Sequence, residues 1–230
     1  YPDPGDQEED PLVYRSLAGG SSLFDEAKFS SYKDTHSDFA KWSEEYLKYN
    51  SDNHLVDLTS SEIVPYTMLY KGEQHYRTMA CVLNDDEYKK EHSIREIGDD
   101  YHDMYLMMDH GLFAEIERCR MPCDIVLYSG ITTERAAQMA GKGKNDDYTT
   151  QDLINSIGNY YTDAAMMSTT ASKQIAAGFS SHSNTMVIIY ASKSAIDEVG
   201  AINIDCMDSM FGGEEEILLS NNAKYRILDV

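Results

Sequence analysis

Three glutamates in a row, Glu214, Glu215 and Glu216, stand directly before Ile217, Leu218 and Leu219 in the stretch "GGEEEILL". The aliphatic run reads as a strand entering a core, so at least one carboxylate sits at the core's edge. Successive strand residues face opposite ways, which puts Glu214 and Glu216 on one face and Glu215 on the other. A same-face carboxylate pair aimed into a cleft is equipment for electrostatic and acid–base chemistry. The same residues on a surface are a solvated acidic turn, so the pair needs partners to mean anything. Two other short pieces qualify: "VLYSGIT" (126–132), which holds Tyr128, Ser129 and Gly130, and "MMSTTASKQIAAGF" (166–179), which holds Ser168, Thr169 and Thr170.

Elements that would position these residues change period half-way along the chain. In the first half, Phe39, Trp42, Tyr46 and Leu47 form an apolar stripe at helical spacing. Residues 58–84 start with Thr59 and Glu62 in capping-box spacing, and Gly72 divides that stretch into two helices. Ser93 with Glu96 caps another helix, whose face carries Ile94, Ile97, Tyr101, Tyr105 and Met108 as ordinary core. In the second half, residues 124–128, 164–169, 185–191, 200–205, 215–220 and 223–230 read as strands. "ASKQIAAGF" reads as a helix that buries Ile175, Ala176 and Phe179, and "NN" at 221–222 suits a hairpin turn. Helices followed by strands predict an α+β fold with mainly antiparallel pairing.

A chain of 230 residues with 42% apolar residues and 10% aromatics has a globular composition. Lys plus Arg is 19 against 40 for Asp plus Glu, a net charge of −21 that argues against nucleic acid or an anionic membrane as partner. No apolar run reaches the length of a membrane span. Cys81, Cys119, Cys123 and Cys206 lack the spacing of a zinc site, so no metal is expected and the thiols read as reduced and structural. "YPDPGDQEED" reads as the start of an acidic flexible tail over 1–24, followed by a single domain over 25–230.

In this order, the three short pieces resemble the mono-ADP-ribosyltransferase family, in its branch with an Arg, Ser-Thr-Ser and Glu-x-Glu motif set, which includes secreted bacterial toxins and effectors. The likeness runs from about residue 58 to the end of the chain. It implies a helical N-terminal half packed on a mainly antiparallel two-sheet core with an NAD cleft. It implies NAD as substrate and transfer of ADP-ribose to an arginine of a target protein. It also implies export, with action in the cytosol of a target cell. Glu216 matches the catalytic glutamate, Glu214 the acceptor-side one, and Ser168 the serine that orients Glu216. Tyr128, Ser129, Gly130, Ser168 and Thr169 match the cofactor-binding positions. The physics agrees: breaking the nicotinamide–ribose bond develops positive charge on the ribose, which a fixed carboxylate stabilises. An always-protonated guanidinium needs a second carboxylate to orient it and take a proton. Glu215 faces away in this reading.

One departure stands out. The family has an arginine where this chain has Ser129, so one neutral hydroxyl replaces a charged fork, and NAD binding is expected to weaken. Arg135, Lys142 and Lys144 lie just downstream as other cations, or as solvated surface. Two alternatives therefore stay open: an NAD glycohydrolase, and a non-catalytic binding module of the same shape whose charge steers a basic partner. Residues 203–213 are expected to form either a mobile acceptor-choosing loop with Met210 and Phe211 at its tip, or a core-packed turn.

Overall fold

The computed structural model describes residues 12–15, 22–52, 119–163, 166–180, 183–206, 213–221 and 223–230, with positions 111, 114 and 116. The helices expected over 58–84 and along the Ile94–Met108 stripe fall outside these residues, as do Met210 and Phe211. Among the described residues, no helix is long and apolar enough to cross a membrane.

The apolar stripe at the start folds as α1 (Phe39–Asp52), with Trp42 and Tyr46 fully buried on one face. Their rings lie 5.8 Å apart, and Ser43 on the same face takes a 3.0 Å hydrogen bond from Asn203. Buried Asn50 closes the helix end by pairing with both the N–H and the carbonyl of Arg120. Burial of two large aromatics, each worth a few kcal/mol, fixes α1 far more firmly than helix propensity does.

The described residues hold eight strands: β1 (Leu12–Arg15), β2 (Ile125–Gly130), β3 (Tyr160–Thr162), β4 (Met167–Thr170), β5 (Met186–Ala191), β6 (Ala201–Asn203), β7 (Glu216–Leu219) and β8 (Lys224–Ile227). Short helices among the same residues are α2 (Thr133–Met139), α3 (Thr150–Asn155), α4 (Lys173–Phe179) and α5 (Lys193–Val199). Each begins at a hydroxyl cap, on Thr132, Thr149, Ser172 and Ser192 respectively, which satisfies an otherwise orphaned amide of the first turn.

Three expectations change here. The strands form one sheet, in the order β3-β8-β1-β5-β2-β4-β7-β6, rather than two. It comes close to being two, because β2 and β4 are joined by a single residue pair, Tyr128 with Thr170, whereas β2 and β5 pair along six positions. The hairpin expected between the last two strands is absent. Both edges of β7 are occupied, by β4 and β6, so the chain crosses over and β8 pairs with β1 and β3 instead. Finally, the flexible tail expected over 1–24 does not hold for residues 12–15, which as β1 partner the backbones of both β5 and β8. Nor does it hold for Leu23, whose N–H donates to the Leu228 carbonyl at 2.8 Å. The acidic composition spoke of side chains; ladder hydrogen bonds are made by the backbone, whatever the charge nearby.

Candidate active site

β4 and β7 run antiparallel, with Ser168 opposite Leu218 and Thr170 opposite Glu216. Ser168 and Glu216 therefore sit on the diagonal of one sheet face, within reach of each other. The Ser168 hydroxyl donates to Glu216 Oε1 at 2.6 Å, a short charge-assisted bond that fixes the carboxylate's rotamer. Glu216 is only 7% exposed, at the head of a strand whose next three residues, Ile217, Leu218 and Leu219, are fully buried. Its carbonyl accepts from the Ile204 N–H at 3.1 Å, which anchors the strand's first residue to the chain leaving β6.

The other hydroxyls of the serine motif bind backbone. Thr169 is 2% exposed and donates to the Ile217 carbonyl; Thr170 donates to the Glu214 carbonyl at 2.6 Å. Thr169 thus presents no open hydroxyl to a ligand and acts as an interstrand tie. The hydroxyl cap of the helix that follows is Ser172, while Thr170 holds the turn that carries Glu214.

Geometry of the glutamate run departs from a simple strand. β7 begins at Glu216, and Glu215 has a left-handed backbone, with φ of 51°. Strand alternation does not extend back to Glu214, so the turn, and not the pleat, sets where the two carboxylates stand relative to each other. Left-handed backbone costs a non-glycine residue about 1–2 kcal/mol, and persists only where its surroundings over-determine it. Here the Ala171 N–H donates to the Glu215 carbonyl at 3.1 Å, and Glu215 Oε2 lies 2.8 Å from His36 Nδ1. His36 went unnoticed in the sequence, since nothing local marks a contact across 179 residues.

On β2 the residues alternate: Ile125, Leu127 and Ser129 are buried, while Val126, Tyr128 and Gly130 are partly open. Ser129 is 4% exposed, and its hydroxyl donates to the Ser168 carbonyl at 2.8 Å. This serine therefore reinforces the one-pair junction between β2 and β4 at the residue that holds Glu216. Ser129→Ala is expected to lower stability by about 1–2 kcal/mol, because the Ser168 carbonyl loses a partner in a poorly hydrated place. The midpoint of urea unfolding reads this directly, and an unchanged midpoint would show that water replaces the hydroxyl at no cost.

Tyr128 lies on the opposite face, and burial raises its phenol's pKa, with Asp34 adding to the shift. Gly130 ends the strand against α4. Phe179, read as buried, is 61% exposed at the end of α4 and offers an aromatic face beside that strand end. Of the downstream cations, Arg135 pairs with the buried carboxylate of Asp163 at 2.7 Å and Lys142 with Asp152 at 2.9 Å, so both already serve structural ion pairs. The three described cysteines carry free thiols, and burial pushes that of Cys206 up to about 12.

No protein-family model matches the chain, and no curated protein matches it. Its fold is similar to that of Plx2a, an ADP-ribosyltransferase toxin from Paenibacillus larvae, with a TM-score of 0.57, 12% identity and coverage of 85% of this chain and 87% of that one. It is similar also to the Clostridium limosum C3 exoenzyme, with a TM-score of 0.54, 14% identity and coverage of 86% and 87%. C3stau2 from S. aureus with NAD aligns at a TM-score of 0.49 and 12% identity over 82% and 84%. Likeness at such low identity concerns the fold: the mixed helices and mainly antiparallel sheet are arranged as in ADP-ribosyltransferase toxins.

Proposed function

We propose that this chain is an NAD-dependent mono-ADP-ribosyltransferase that modifies an arginine of a target protein, as an exported toxin or effector acting in a target cell's cytosol. The observation that carries the reading is the 2.6 Å bond from Ser168 to buried Glu216. In a fold shaped like these toxins, it holds one carboxylate ready at the head of an inner strand.

NAD is the substrate, with Tyr128 and Gly130, half-buried at the end of β2, forming part of its cleft. Bond cleavage sends the electron pair of the C1′–N bond to nicotinamide and leaves an oxocarbenium-like ribose. The Glu216 carboxylate faces that charge, and Ser168 keeps it from turning away. An arginine nitrogen then bonds to C1′ and gives its proton to Glu214. Ser129 and Thr169 serve by holding β4 between β2 and β7.

Incubation with labelled NAD and a cell extract, with tandem mass spectrometry of the labelled protein, tests the reading. Adducts on arginine support it; adducts confined to another residue type overturn the choice of acceptor. The position of Glu214, in a turn outside β7, favours a second reading as an NAD glycohydrolase, in which water replaces the acceptor. Glu214→Gln separates the two. Arginine transfer is expected to fall by about 10²–10⁴-fold, the usual worth of a general base, while NAD hydrolysis changes by only a few-fold. Equal losses in both activities would contradict the division of labour between the carboxylates.

A further inference from the structure

Glu215 is the member of the glutamate run that the reaction leaves unused, yet its conformation is the most constrained. Its backbone is left-handed, and its carboxylate reaches His36, a residue from the opposite end of the chain.

The segment that carries His36 is firmly placed. Phe29 stacks on Phe24 at 5.2 Å and meets Tyr190 of β5 at 4.6 Å. Lys33 then pairs with Ile125: its N–H donates to the Asp124 carbonyl at 2.9 Å, and its carbonyl accepts from Val126 at 3.1 Å. Because β5 fills one edge of β2 along all six residues, Lys33 and Thr170 both lie on the other edge. The chain after Lys33 is thereby laid beside the start of β7. Thr35 is buried, the backbone N–H of His36 donates to Asp34 Oδ1 at 3.1 Å, and the imidazole meets Glu215 at 2.8 Å.

We propose that His36 is a positioning residue for the carboxylate pair: protonated, it clamps Glu215 and so holds the turn before β7, with Glu214 and Glu216 on either side of the clamped residue, in working register. Its consequence for catalysis rests on the transferase reading above, while the clamp itself stands on the contacts. Charge gives the physical reason. Three consecutive carboxylates repel one another, and Asp34 and Asp38 flank the imidazole on its own segment, with Lys41 3.9 Å from Asp38. Tyr128 of β2 also faces Asp34. A single imidazolium offsets this crowding at the middle glutamate. When it is neutral, the left-handed turn keeps its backbone bonds but loses the ion pair.

The hydrogen bond to Glu215, and then its charge, raise the His36 pKa, with Asp34 adding and slight burial opposing. The clamp is therefore complete at and below the ordinary imidazole range and is lost as pH rises through the raised value. His36 is 52% exposed and Glu215 19%, so salt also weakens the pair.

The test combines two readouts. By NMR, the His36 ring is expected to titrate at higher pH in the wild type than in Glu215→Gln. The Ala171 and Ile204 amides, which bond the turn, are expected to exchange several-fold faster in His36→Ala but not in His36→Lys. In NAD turnover, His36→Ala is expected to lower kcat about tenfold with little change in KM, as a small displacement of a catalytic group does. His36→Lys, a cation that does not titrate in this range, is expected to restore activity and to lack the decline with rising pH that is expected of the wild type. Identical His36 titration with and without the Glu215 carboxylate, together with unchanged exchange in His36→Ala, overturns the clamp. A wild type that turns over no NAD while its His36 titration responds to Glu215→Gln overturns the transferase reading and supports the clamp.

Discussion

Glu216→Ala is expected to reduce NAD cleavage, and with it any transfer of ADP-ribose, on the order of a hundred- to a thousand-fold, the scale seen when one preorganised stabilising group is removed from a transition state. The carboxylate is 7% exposed and held by Ser168 at 2.6 Å, so its orientation is fixed before substrate arrives and costs no rearrangement during reaction. Stability should change far less than activity. Removing a carboxylate from a mostly buried place eliminates a desolvation penalty, and the hydroxyl left behind belongs to an exposed serine that water can reach. Glu216→Gln sharpens the test, because the amide oxygen still accepts from Ser168 while the charge is gone. A loss in Gln as deep as in Ala assigns the effect to charge. Single-turnover cleavage of labelled NAD, run beside thermal melts of both variants, provides the measurement, and equal cleavage by all three proteins would mean that the stabilising charge lies elsewhere.

Sequence legibility followed the range of the interactions. Glu216 and Ser168, 48 residues apart, could be linked in advance only through the resemblance of their two short motifs to a known family, and the structure brings them into contact. The apolar runs that became β2, β4, β5, β6, β7 and β8 were readable from β-branched and aliphatic clustering, with ends displaced by at most three residues. β3, two tyrosines and a threonine, carries no aliphatic cluster, and β1 lies just after an acidic stretch that dominates the composition. Helices α2, α3 and α5 have six or seven residues each. Their signal was present in the caps, most clearly in Thr149 and Asp152, which form a complete capping box. Strand partners were not legible. The last two strands are consecutive in sequence, yet both edges of β7 go to β4 and β6, a choice made by the whole sheet. The left-handed Glu215 and its contact with His36 were equally hidden, since glutamate carries no preference for that backbone and the partner is 179 residues away.

Gly130→Ala is expected to be the most damaging single-methyl substitution near the site, for a reason distinct from any ligand. A Cβ at this position would stand 2.3 Å from the Ala176 carbonyl oxygen, 2.5 Å from the Ser180 nitrogen and 2.8 Å from the Phe179 carbonyl carbon. All three atoms are backbone, and the Ala176 oxygen and Ser180 N–H are themselves hydrogen-bonded at 3.0 Å where α4 ends. No side chain can swing away to make room, so either the end of β2 or the last turn of α4 must shift. Gly130 is paired with Met186 in the β2–β5 ladder, which resists the first movement, and the hydrophobic face of α4 around buried Ala176 resists the second. Overpacking of this kind costs about 3 kcal/mol, at the upper end of the usual range because the contacts are rigid. For a chain of this size, that corresponds to a fall in melting temperature of about 6–12 °C. The sequence reading placed Gly130 in the NAD cleft, where the absence of a side chain would serve the ligand. The two accounts separate cleanly in the unliganded protein. If close packing of α4 demands the glycine, Gly130→Ala melts several degrees early without NAD present, and NAD raises wild type and variant by similar amounts. A variant that melts with the wild type when free, but gains little from NAD, would show that the glycine is kept for the ligand and that α4 accommodates the methyl.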